Sequence, residues 1–569
     1  MTLTETRPDT EASSGAASRP ATTLDGLLGS SDHKTIGRLW IGVGLVFLAA
    51  GLVVSLVAAF EAADLSSFAI VDDTGQFAQL WSLGRVLVLF GGVVPVLVGL
   101  ATYLVPLQIG APAIVFARGA SGAFWTWFIS LDLVIVSYLL NGGPGGGRAD
   151  FVVLWAAGLA FALAALVWAM VVVATTVLGA RTTGMSLDRA PMATWSFLVF
   201  SLIGVLSLPI LIAELALTYV RVRHGFLPPD ASTSLTGVMD SVSLTPALYW
   251  LAVPILGMAV DIIGVHTDRP VQAHKQVMAA IGALGILGFG AQYLSFASVR
   301  PVDFDNALLV ITIAAAGLPM LAVLGLSGES LRRGTPRMGA SLIGALVAGL
   351  LLLLSVAVSL LGLIKPVAVF LENETPVSVA LDRLLILNGT TFHDGVRGLI
   401  IGATVVGTIA ALTHWAPKLW GRRMAEPLSL LAIMAAAGGA VVWGLGAVLA
   451  GVDDQPAYPQ AELLGGENVE FFNLIAAVGI AILAAGAVLA TLNAAQAAFG
   501  KAESASGRVW TGATLEWATA TPPAVGNFER SPVVRSATPL LDDIDGGDGG
   551  APETAASDEA AAGGEEESR

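Results

Sequence analysis

The stretch WSLGRVLVLFGGVVPVLVGLATYLVPLQIGAPAIVFARGASGAFW, residues 81–125, decides the fold. From Leu83 to Leu107 it is apolar apart from Arg85, long enough to cross a bilayer as one helix, and the Gly/Pro-containing segment behind it reads as a loop. Hydrocarbon offers no water to an open backbone, so a segment of this kind must satisfy its own hydrogen bonds as a helix.

Outward from this span, runs of similar length lie near 36–60, 124–140, 151–178, 192–220, 246–265, 276–296, 307–326, 340–364, 396–416, 428–450 and 472–492. The chain of 569 residues is 55% hydrophobic and 12% charged, with a mean hydropathy of +0.78, which excludes an ordinary soluble domain. The expected fold is an all-α polytopic membrane bundle of about twelve transmembrane helices. Residues 1–28 read as a disordered tail, 29–500 as the membrane domain, 501–536 as a cytoplasmic arm and 537–569 as an acidic disordered tail. No small-residue cleavage site follows the first run, so it reads as a retained span. With no cysteine there is no disulfide, thiolate metal site or cysteine-bound haem. The net charge of −15 is weighted by the tail after Leu540; no nucleic-acid partner is expected, and the lipid bilayer is the certain one. Lys34, Arg38, Arg118, Arg181, Arg332, Arg333 and Lys418 fall on alternate loops, whereas Glu61, Asp73, Glu372 and Asp453 crowd the others. By the positive-inside rule both termini lie in the cytoplasm, in a plasma-membrane protein. The run NGGPGGG, residues 141–147, lacks the Lys-Ser/Thr of a phosphate loop and reads as a flexible connection.

Particular residues say more. Gly99, Tyr103, Pro106-Leu107, Ile109-Gly110-Ala111-Pro112, Phe116, Arg118 and Phe124-Trp125 resemble the second helix and following loop of subunit I of the haem–copper oxidases, the cytochrome c oxidase family. Asp32 to Gly37 is similar to the family's first-helix start. Gly184 to Pro191, Trp195-Ser196 and Ser207-Leu208-Pro209 resemble its fifth helix, and Pro254, Gly257 and Asp261-Ile262-Ile263 its sixth. Trp510, Gly512 to Trp517, Pro522-Pro523 and Asn527-Phe528 resemble its C-terminal arm, so the likeness runs from about Asp32 to Ser536.

The resemblance implies two haems and a copper ion held by six histidines, since neutral imidazole binds both metals in a fixed direction. This chain has six histidines in all, and gap-free counting puts none at those positions. The axial ligand of the second helix falls at Leu83. In the sixth helix the copper ligand falls at Thr245, and Tyr249 alone remains of that motif. The paired ligands of the seventh fall at Leu294-Ser295, and those of the tenth at Gly395 and Arg397, with His393 two to four residues away. The family's Arg near the haem formyl group falls at Ala59, its propionate-binding arginines in Gly451 to Pro456, and its proton-channel residues at Ala113 and at Leu318 or Pro319. No haem, copper or other cofactor is therefore expected. Three functions stay open: a non-catalytic structural or regulatory component of an aerobic respiratory complex, partnered by subunit II- or III-like proteins; an active terminal oxidase with relocated ligands; or a proton or solute conduit using Asp132, Glu214 and Asp261, charged groups in apolar runs. Arg85 is expected to pair with an acid on a neighbouring helix.

Overall fold

The computed structural model describes residues 30–63, 70–71, 73–228, 249–271, 273–297, 303–361, 390–457, 468–500, 502–505 and 509–542, without the side chains of 288–297 and 303–314. The copper-ligand position Thr245 and residues 1–28 lie outside the described residues, as do the side chains of Leu294 and Ser295.

The described residues form twelve long helices: α1 (His33–Glu61), α2 (Thr74–Gln108), α3 (Ala117–Leu139), α4 (Ala149–Gly179), α5 (Met192–Arg223), α6 (Tyr249–His266), α7 (His274–Ala297), α8 (Asp303–Arg333), α9 (Ala340–Leu361), α10 (Phe392–Trp420), α11 (Glu426–Val452) and α12 (Val469–Phe499). Ten of these are long and apolar enough to cross a membrane. The bundle of about twelve helices read from hydropathy is thus present, in the expected order. α2 outruns its apolar core by a polar turn, because Asp73 accepts from the amide of Gln76 at 2.8 Å and starts the helix early.

Neighbours in sequence pack as neighbours in space, and α12 returns to pack on α1, closing the bundle. The most apolar windows of α2 and α10 are 100% buried and that of α6 is 89% buried, so these three make the centre. Small residues let the outer helices approach it. A Cβ added at Gly37 of α1 or at Gly99 of α2 would sit 2.9 Å from the other's carbonyl oxygen, so only hydrogens fit at that crossing. Within α2, Leu87–Val93 forms a π-helical stretch over Gly91-Gly92, just before Pro95. Proline has no N–H and crowds the carbonyl four residues back, here that of Gly91, which favours a wider turn.

The arm docks across the end of the bundle where α1 begins and α10 finishes, hereafter the arm end. Asn527 donates to the Ala111 carbonyl at 2.8 Å and accepts from Lys34 at 3.2 Å, and Lys418 donates to the carbonyl of Thr519 at 2.7 Å. Residues 537–542, read from sequence as the start of the tail, belong to this docked arm, with the Leu540 amide donating to Ala513.

Candidate functional site

At the end of the bundle opposite the arm, α10 begins with Phe392, His393 and Asp394. A carboxylate in a first helical turn is favoured by the helix dipole, and Arg397, three residues on, shares its face. Nη2 of Arg397 lies 2.6 Å from Oδ1 of Asp394. From α2, Nη2 of Arg85 donates to both oxygens of the same carboxylate at 2.8 and 2.9 Å, while its guanidinium covers the Trp81 ring at 3.3 Å. Asp394 is the acid that Arg85 was expected to find.

This Arg–Asp–Arg cluster borders a cavity of about 110 Å³, walled by α1, α2, α10, α11 and α12. Ala59 lines it, and so does Gln455, whose Oε1 is buried without a hydrogen-bond partner. No His, Met, Cys or Tyr is among the described residues lining it. Gly395 faces elsewhere: a Cβ there would meet the Gly444 carbonyl of α11 at 2.6 Å.

At the arm end, Asp261 accepts from the amides of Met192 and Ala193 at 3.1 and 2.9 Å and so caps α5. Nε2 of Gln108 bridges it to Glu516 of the arm, at 3.3 and 3.1 Å. Burial pushes the Glu516 carboxyl up, with help neither from solvent nor from a partner for its Oε2. Nearby, the His414 ring stacks on Trp510 at 5.7 Å and lies 5.5 Å from His266, which meets Ser341 at 2.8 Å. His414 is wholly buried, because the arm lays Trp510 and Trp517 against it.

All six histidines sit within about two turns of a helix end, His33, His266, His274 and His414 towards the arm and His224 and His393 at the opposite end. The described residues contain no group of three or more His, Asp or Glu side chains placed to hold a metal ion. Tyr249 is buried at the start of α6, its hydroxyl beside Ser355 and Ser359 but in good hydrogen-bond geometry with neither. Asp132 on α3 and Glu214 on α5 are half-buried. Glu214 is about 33 Å along α5 from the turn that Asp261 caps, so the structure does not bring these two acids together. Sequence reasoning missed Asp394 and Glu516; the i, i+3 spacing of Asp394 and Arg397 was the available signal for the first.

A bundle of this kind, closed around central helices and covered by a C-terminal arm, is the architecture of an oxidase membrane subunit. The family model described as cytochrome c and quinol oxidase polypeptide I matches residues 35–482, and the chain belongs to that family. Cytochrome c oxidase subunit 1 of Corynebacterium diphtheriae is 25% identical over 566 residues, 94% of each chain. That of Bacillus subtilis is 24% identical over 533 residues, 90% of this chain and 81% of the relative. The cryo-EM structure of a haem–copper terminal oxidase dimer shares the fold, with a TM-score of 0.61 and 12% identity over 90% of this chain and 89% of that one.

Proposed function

We propose that this chain keeps the subunit I fold without haem or copper, and serves as a non-catalytic structural or regulatory subunit of an aerobic respiratory complex. It lies in the plasma membrane with both termini in the cytoplasm, and its outer helices meet a subunit II- or III-like protein. The observation that carries the reading is Arg397. Gap-free counting from Trp415 makes this the position of a haem ligand on α10, and it holds a guanidinium paired with Asp394. A guanidinium has no lone pair for iron, and the cavity beside it offers no imidazole, thioether or phenolate among its described lining, so these residues do not fit a haem. Ala59, Gln455 and the Gly395 seam against α11 support the same reading, because none could clamp or ligate the group.

The purified protein is expected to be colourless. A reduced-minus-oxidised absorption spectrum, with iron and copper analysis, tests this. Soret and alpha bands at near-stoichiometric haem would restore the reading of an active oxidase with relocated ligands. The conduit reading would need Asp132, Glu214 and Asp261 to act in series; the commitment of Asp261 to capping α5, with Glu214 near the other end of that helix, weighs against it.

A further inference from the structure

Asp132 is a carboxyl on the outer face of a membrane helix, met by no described residue of this chain, and we infer that it marks the docking face for a transmembrane helix of another chain that carries an arginine at the same depth. This rests on the reading that the outer helices meet another membrane subunit, and names one face and the chemistry that recognises it.

Depth makes the carboxyl costly. α3 runs from Ala117 to Leu139, so Asp132 lies about 10 Å along the axis from its end and about 22 Å from its start. An aspartate has a single methylene and cannot snorkel to a helix end as a lysine or arginine does. Phe128, one turn earlier on the same face, packs on Phe47 of α1 with ring centroids 6.5 Å apart, which puts the carboxyl beside the seam between α1 and α3. Around it Ile129, Leu133 and Val136 are exposed on the outside of the bundle. Asp132 is itself half-buried, and the described residues give it neither a hydrogen bond nor an ion pair. Protonation would not settle it, because a neutral carboxyl still leaves a donor and an acceptor unpaired in hydrocarbon. Asp394 and Asp261 show what satisfies an acid in this bundle: the first takes two guanidiniums, the second two amides and a carboxamide. Arginine is the fitting counterpart for Asp132. Its fork meets both carboxylate oxygens, and alone in a membrane helix it carries the same penalty, so one pairing relieves both chains.

The test uses the full-length protein in lipid vesicles with a synthetic Leu/Ala helix of the same length as α3. Association is read by energy transfer from a donor on the protein to an acceptor on the peptide. One peptide carries arginine about 10 Å from its end, and the other has leucine there. The arginine peptide is expected to associate about ten-fold more tightly, the order of one charge-assisted hydrogen bond. Asp132→Leu should bring the two peptides level, and Asp132→Arg should transfer the preference to a peptide with aspartate in that place. Equal association of the arginine and leucine peptides with the unaltered protein overturns the proposal, as does an arginine preference that survives Asp132→Leu. The reading beneath it fails separately: a particle of single-chain mass after gentle detergent extraction would overturn the existence of a partner subunit, whichever peptide the protein prefers.

Discussion

Asp394 serves two guanidiniums from two helices, so its loss takes from both the carboxylate they share. Asp394→Ala is expected to destabilise the protein by about 3–5 kcal/mol, the cost of breaking a buried pair by removing one partner. Adding Arg397→Leu should recover part of that loss, because it removes one of the two cations that Asp394 served. Thermal unfolding in detergent measures both, and a double variant that unfolds below the single one would show that charge is not what the cluster supplies. From the sequence it was legible that Arg85, alone in an apolar run, needed an acid. Which acid was not, since Asp394 lies 309 residues away and only packing brings it near. Gln455 was legible as the residue standing where the family keeps a propionate clamp, but its unpaired oxygen belongs to the folded state alone.

Helices were read well where hydropathy governs them and poorly where backbone geometry does. The π-helical stretch Leu87–Val93 shows why. Its turns take in more residues than α-helical turns, so a count across it preserves spacing and loses facing. The gap-free reading brings Leu83 to the ligand position, yet Arg85 is the residue that lines the cavity. The sequence signal was Gly91-Gly92 followed by Pro95, which marks a local disturbance without giving its size. The arm is the other element whose role only packing reveals, since its burial of Glu516 has a pH consequence. Burial raises the folded pKa of that carboxyl above its ordinary value. Docking is therefore fully stable below the ordinary carboxylate pKa, where both states hold the proton, and weakens as pH rises towards the raised value. Asp261, through Gln108, and Lys418 face the same group. Protease cleavage of the arm should accelerate as pH rises above the ordinary carboxylate range, and Glu516→Gln should flatten the profile. A wild-type rate independent of pH would contradict the assignment.

For the whole molecule, the count of helices was legible because a bilayer sets one length for all of them. Twelve is an even number, so both termini should be cut by protease on the same face of membrane vesicles, the cytoplasmic one; protection of one terminus alone would mean that a helix does not cross. The cavity was beyond sequence reading because its walls come from both ends of the chain, α1 and α2 on one side and α10 to α12 on the other. That division has a consequence in time. At ~5–20 residues per second, roughly 20 to 90 s of synthesis separates α1 from the end of α12. Through that interval the face that α1 later presents to α12 lies open to the bilayer, and the chamber has no closing wall. Whatever fills it can enter sideways from the membrane while the chain is still being made, and is enclosed when the last helix arrives.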